Sequence, residues 1–365
     1  VDITELLTFT QKQSASDLHL SSGQPPILRV DGDIAPLRVA ALSAEEVTTM
    51  LHSVMNEKQR SDYELNLEID FAMRFGDNCR FRVNAFYTVN GPAAVFRLIP
   101  NEVVTLRSLK MPDILTKLTY LQRGIILVTG PTGSGKSTTL AAMVNHINES
   151  MPRHIITVED PIEFIHTSKR ALINQRELGS HTLSFARALK SALREDPDVI
   201  LVGELRDLET IKLALTAAET GHLVMGTLHT SSAAKTIDRI IDVFPPHDKE
   251  MVRSMLAGSI EAIISQALLK RAEGAGRVAA YEILLATPAV RNLVRENKIA
   301  QIQSLIQVGS KKGMITMRDC IYGLLEKGLI SNEMAKMTIA TLMAESDTGD
   351  DAGLMGNKSG IPGVF

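Results

Sequence analysis

The eight residues Gly130-Pro131-Thr132-Gly133-Ser134-Gly135-Lys136-Ser137 carry the most specific chemistry in this chain. They fit the G-x-x-x-x-G-K-S/T pattern of a nucleoside-triphosphate cradle without a mismatch. Glycines let successive backbone N–H groups converge on phosphate oxygens, and a helix starting at the loop adds its positive dipole end. In such a cradle Lys136 reaches the β- and γ-phosphates, the Ser137 hydroxyl holds Mg²⁺, and Thr138 carries the binding stretch into the helix. ATP and Mg²⁺ are the expected ligands. Three further groups offer acid–base chemistry. Glu204 closes the run Val199-Ile200-Leu201-Val202-Gly203-Glu204, which has the apolar character of a Walker B strand. Gly203 stands where a metal-linked aspartate is expected, so Glu204 is the candidate that polarises the attacking water. Glu159, Asp160 and Glu163 form an acidic cluster whose division of labour stays open. Glu159 and Glu163 are catalytic candidates, and Glu163 is paired with Ser137 as a candidate metal ligand. His229 is a candidate sensor of the γ-phosphate, whereas His222, seven residues earlier, is expected to hold the adjacent loop.

The neighbouring residues place these groups. Ile125-Ile126-Leu127-Val128-Thr129 reads as a buried strand feeding the glycine-rich loop, and Thr138 to Val144 continue as helix. Ile155 to Val158, Val199 to Val202 and Leu223 to Leu228 read as further buried strands, and Ser184 and Asp207 as helix caps. Repeated strand–helix alternation implies a parallel sheet. Ligands of such sheets sit beyond the carboxyl ends of the strands. Three strands end at Glu159-Asp160, Glu204 and His229, and a fourth feeds the loop. Polar residues at the tips of apolar strands are costly unless used or paired, so their coincidence points to an active site rather than a passive nucleotide site.

At 365 residues the chain is long for a single core, and its 44% hydrophobic residues can fill two. Residues 1–100 read as a small α+β domain. There the alternation of Cys79, Phe81, Val83 and Ala85 with Arg80, Arg82 and Asn84 marks a strand buried on one face. Residues 101–105 read as linker, 106–286 as the nucleotide domain, 287–344 as a purely helical region, and 345–365 as a disordered tail. A net charge of −3 and a 4% aromatic content disfavour a nucleic-acid motor, which needs basic and stacking surfaces. Cys79 and Cys320 are the two cysteines, too few for a disulfide framework or a four-cysteine zinc site. No apolar run is long enough to span a bilayer, and the first residues lack signal-peptide character. A cytoplasmic protein that meets membranes only through partners is the expectation.

Five longer motifs carry a family resemblance. They are Ser16-Asp17-Leu18-His19-Leu20, Phe81-Arg82-Val83-Asn84-Ala85-Phe86, Thr157 to Phe164, Leu201 to Asp207, and a histidine box from Glu219 to Thr230. Over residues 1 to about 330 the chain resembles the motor ATPases of secretion systems and type IV pili, and within them the pilus retraction ATPases. The resemblance implies a PAS-like N-terminal domain, a RecA-like ATPase domain and a homohexameric ring. It also implies coupling to pilin through an inner-membrane platform protein, with peripheral placement at the inner membrane. Assembly and secretion relatives commonly carry the zinc insert this chain cannot build, and Ala289 to Glu296 resembles a retraction signature. Pilus assembly or type II secretion is the alternative. Arg291 and Arg295 are expected on the polar side of that signature helix, for transmission or partner contact. Arg82 and Arg97 are expected to act across a subunit boundary on the neighbour's phosphate site, a contribution of about 10³-fold or more in rate.

Overall fold

The computed structural model describes residues 2–347 apart from 14, 31, 77–78, 100–103 and 275. Most of the expected linker and the tail beyond residue 347 therefore lie outside the described residues. In the N-terminal part, helix α1 (Ile3–Lys12) precedes strands β1 (Asp17–Ser21), β2 (Ile27–Val30) and β3 (Asp33–Pro36). Helices α2 (Ala44–Val54) and α3 (Glu57–Asn66) follow, then β4 (Glu68–Phe75), β5 (Cys79–Thr88) and β6 (Gly91–Ile99). The strands form one antiparallel sheet ordered β3-β2-β1-β6-β5-β4. Ser43 caps α2, with Glu46 returning the bond as a capping box. The alternation along β5 is realised: Phe81, Val83 and Ala85 are fully buried among residues of α1 and α2, and Arg80 and Arg82 lie on the other face.

The second sheet is built around the predicted apolar runs. Helix α4 (Asp113–Leu118) leads into β7 (Gly124–Thr129), α5 (Lys136–Ser150), β8 (His154–Glu159), β9 (Leu172–Glu177) and α6 (Phe185–Ala192). Then come β10 (Val199–Val202), α7 (Leu208–Glu219), β11 (Leu223–Leu228), α8 (Ala233–Asp242), α9 (Lys249–Ser259), β12 (Ile260–Lys270) and β13 (Arg277–Leu285). The order is β13-β12-β7-β11-β10-β8-β9, parallel except at β13. Strands β7, β10 and β11 are buried throughout, as a parallel sheet covered on both faces requires. The period of two divides each strand between two cores. Ile125, Leu127, Ile200 and Val202 face the core under α6 to α9, whereas Ile126, Val128, Val199 and Leu201 face the core under α5. Asp207 and Ser184 cap α7 and α6 as expected, each accepting a backbone N–H three residues on.

Two departures from simple alternation matter. Strand β9 follows β8 through a loop with no helix, and β12 pairs with β13 as a hairpin. The short connection between β12 and β13 dictates antiparallel pairing. The region after Thr287 is helical, with α10 (Pro288–Arg295), α11 (Ile302–Val308), α12 (Met317–Glu326) and α13 (Asn332–Asp347). It is not a separate layer, because Val290, Val294, Ile302 and Ile306 complete the core beneath α7 and α9. Helix α13 runs past the expected boundary at Glu345. Among the described residues no helix is long and apolar enough to cross a membrane.

Candidate active site

The loop after β7 is clamped from beneath by β12. Thr129 and Ser265 share a hydroxyl hydrogen bond of 2.9 Å. The buried Gln266 amide donates to Ser134 O (2.7 Å) and accepts from Thr139 Oγ1 (2.7 Å). Gly130 (φ 141°) and Gly135 (φ 88°) are required here: a Cβ would lie 2.2 Å from Gln266 O at the first and 2.8 Å from Gln266 Nε2 at the second. Gly133 (φ 77°) faces open space. Lys136, the first residue of α5, is buried, and its Nζ donates to Gly130 O (2.9 Å) and Pro131 O (3.0 Å). Burial lowers its pKa, while Glu204 and Glu163 act in the opposite sense, so the ammonium lies within the field of both carboxylates. The buried Ser134 hydroxyl has no partner among the described residues. A loop with an unpaired donor, a lysine folded onto it and open space at Gly133 fits a polyphosphate.

Strand ends β8, β10 and β11 bring the acidic and histidine groups alongside. A Cβ at Gly203 would come within 3.2 Å of Glu159 Cα and Val158 O, and Gly203 N–H donates to Val158 O at 2.7 Å. A side chain at this position would press on the β8 backbone, which would have to give by a few tenths of an ångström. Glu204 Oε1 lies 3.3 Å from His229 Nε2, and Oε2 lies 2.7 Å from an Arg206 Nη. Burial pushes the Glu204 carboxyl up, but Arg206 and His229 outweigh it and hold it below the ordinary carboxylate value. Glu159 behaves in the opposite way. Burial pushes it up to about 7 despite hydrogen bonds from Thr157 (2.6 Å) and Gln175 (3.3 Å), and the Glu163 charge adds to the rise. Glu163 and Asp160 are exposed in the loop that follows. Among the described residues there is no cluster of three His, Cys, Asp or Glu side chains suited to a metal.

The two arginines of the N-terminal sheet part company. Arg82 makes a forked contact to Asp70 (Nη2–Oδ2 2.6 Å) and lies in the field of Asp160 and Glu163 of the same chain. This intrachain approach was not part of the expectation of action across a subunit boundary. Arg97 stands directly opposite Arg82 in the β5–β6 register, but its Nε is tied to the buried Asp17 carboxylate at 2.8 Å. His222 holds its loop as expected, its ring bonded to Ala217 O. Arg291, expected on the polar side of its helix for transmission or partner contact, is engaged within the chain. Its guanidinium binds the carbonyls of Ala257, Gly258 and Ala286 and the Glu261 carboxylate at 2.8 Å, so it fastens α10 to the end of α9. Arg295 is exposed. Sequence reasoning missed Gln266, Arg206 and Gln175. Ser265-Gln266 within the β-branched run of β12 is the one signal that marks a polar group inside a buried strand.

Comparison with known proteins gives concordant matches. The family model described as type II/IV secretion system protein matches residues 2–336. The type IV pilus retraction ATPase PilT of Pseudomonas aeruginosa is 58% identical over 336 residues, covering 92% of this chain and 97% of that one. A twitching motility protein of Neisseria gonorrhoeae is 63% identical over 311 residues, 85% of this chain and 83% of its own. The crystal structure of the pilus retraction motor PilT with bound ADP superposes with a TM-score of 0.85 at 48% identity, covering 92% of this chain and 96% of the other. The mixed α/β architecture is thus that of a P-loop ATPase.

Proposed function

The chain belongs to the type II/IV secretion system protein family, and from that membership we propose that it is a motor ATPase driving type IV pilus retraction and twitching motility. The observation that carries the chemistry is that Lys136, folded onto the glycine-rich loop beyond β7, lies in the field of both Glu204, just past the end of β10, and Glu163. The relatives carry the direction of the motor, since those with the highest identity over most of the chain are named for retraction and twitching. We read the N-terminal sheet as a PAS-like domain (1–100), the second sheet as a RecA-like domain (106–286) and 287–344 as its helical extension. The working form is a cytoplasmic homohexamer docked on the inner-membrane platform protein, reaching pilin through it and not binding nucleic acid.

In this reading the loop amides from Gly130 to Gly135, with Lys136, hold the phosphates, and Thr138 closes the site at the first turn of α5. Ser137 and Glu163 would hold Mg²⁺, which when bound would supply charge neutralisation at the phosphates. Glu204 is ionised at neutral pH, so it orients and polarises the water by its charge rather than by a tuned proton affinity. His229, hydrogen-bonded to Glu204, fixes that carboxylate and reports on the γ-phosphate. Glu159 braces the strand end beside Gly203. Arg82, and Arg97 once released from Asp17, supply positive charge to the transferring group. Steady-state phosphate release from the purified chain with Mg-ATP tests the reaction. Turnover unaffected by added DNA or RNA is expected, and absence of turnover would contradict it.

A further inference from the structure

One charged pair outside this machinery joins the two sheets. Arg80 on β5 and Glu177 at the end of β9 approach to 3.9 Å, with side chains only 15% and 9% exposed. Arg80 is poorly placed for any other purpose. Its Nε is buried without a partner among the described residues, and the residue directly opposite on β4 is Arg74, a like charge that destabilises the cross-strand pair. A cation desolvated beside another cation is costly unless a carboxylate serves it. Glu177 is the carboxylate on hand. Its Oε2 accepts the Ile162 N–H (3.0 Å) and its Oε1 the Ser180 hydroxyl (3.1 Å). Glu177 pairs in register with Glu159, and the next residue's N–H donates to Glu159 O at 2.9 Å. The Glu177 carboxylate thus holds the backbone between Asp160 and Glu163, while its own strand pairs through the backbone with the end bearing Glu159.

We propose that Arg80 is a positioning residue for ATP hydrolysis, acting through Glu177 to fix the loop that carries Glu159, Asp160 and Glu163. At 3.9 Å the pair is an ion pair and not yet a hydrogen bond. Closure by about 1 Å would give the charge-assisted geometry near 2.8 Å, with Nε as the second prong of a fork. Arg82, two residues along the same face, moves with it toward Asp160 and Glu163. Docking of the N-terminal sheet then sets the acidic loop, so hydrolysis depends on how the two parts of the chain sit together.

This inference rests on the ATPase reading, and its test separates the two. Arg80→Gln, Arg80→Lys, Glu177→Gln and the Arg80→Gln/Glu177→Gln double variant are purified as full-length oligomers and assayed for kcat and KM with Mg-ATP. Coupled residues deviate from additivity by factors of about 2 to 100. Arg80→Gln should lower kcat about tenfold with KM for ATP within about twofold, and the double variant should be no slower than the slower single. Arg80→Lys keeps the charge without the fork and should recover part of kcat. It also carries the cycle if Arg80→Gln fails to fold. Multiplying effects in the double variant, or a loss appearing chiefly in KM, would overturn the proposal, the latter by making Arg80 a direct phosphate ligand. A wild-type chain that releases no phosphate would sink the ATPase reading itself, and this inference with it.

Discussion

Lys136 and Glu204 serve different parts of one reaction, so their loss should separate binding from turnover. Lys136→Ala removes the ammonium that lies across the loop carbonyls, and both nucleotide affinity and hydrolysis should fall. Glu204→Gln keeps the shape of the group beside His229 and Arg206 but removes its charge. It should bind ATP with near-normal affinity and lose about 10²–10⁴-fold in single-turnover rate. Near-normal hydrolysis by that variant would refute the assigned role. Glu159 has its own signature, in the pH dependence of stability. Burial raises its folded-state pKa from 4.5 to about 7, so between those values the folded chain holds a proton that the unfolded chain has lost. Its stabilising contribution is therefore full below about pH 4.5 and is lost as pH rises through about 7. Thermal melts of the nucleotide-free chain should show this decline, and Glu159→Gln, neutral at every pH, should flatten it. An unchanged slope in the variant would contradict the assignment.

At the scale of elements, α10 shows how a surface signature becomes a fastening. Its Arg291 satisfies three carbonyls at the end of α9 and around β13, and one carboxylate, whereas Arg295 is exposed. Arg291→Ala should lower stability by about 2–3 kcal/mol, the usual cost of losing hydrogen bonds to a charged group. Arg295→Ala should leave the melting temperature within about a degree, as surface changes do, and a twitching defect with stable protein would assign it to partner contact. Equal melting temperatures for the two variants would contradict the fastening role. The elements legible in the sequence were those written locally: the run of β7, the alternation of β5, the caps Ser184 and Asp207, and the loop itself. The features that escaped are pairings between distant residues. Gln266 lies 132 residues from the Ser134 carbonyl it holds, and the Arg291 clamp reaches back across β13 and β12 to Ala257, 34 residues earlier. Gly203 shows both sides. Its departure from an aspartate was visible in the sequence, but the tight approach of Glu159 to it exists only once β8 and β10 lie side by side.

At the scale of the whole molecule, the N-terminal sheet and the nucleotide sheet meet where Arg80 faces Glu177 and Arg82 faces the acidic loop. A motor must convert phosphate chemistry into relative movement of large parts, and this contact lies beside the acidic loop that carries Asp160 and Glu163. The central claim is that hydrolysis at Glu204 powers withdrawal of pili rather than their assembly. Its most direct test is to replace the chromosomal gene with the Glu204→Gln allele, verify protein level by immunoblot, and count surface pili while scoring twitching. A retraction motor predicts abundant pili on cells that no longer twitch. Cells without pili, or cells that twitch normally with the variant at full abundance, would contradict it.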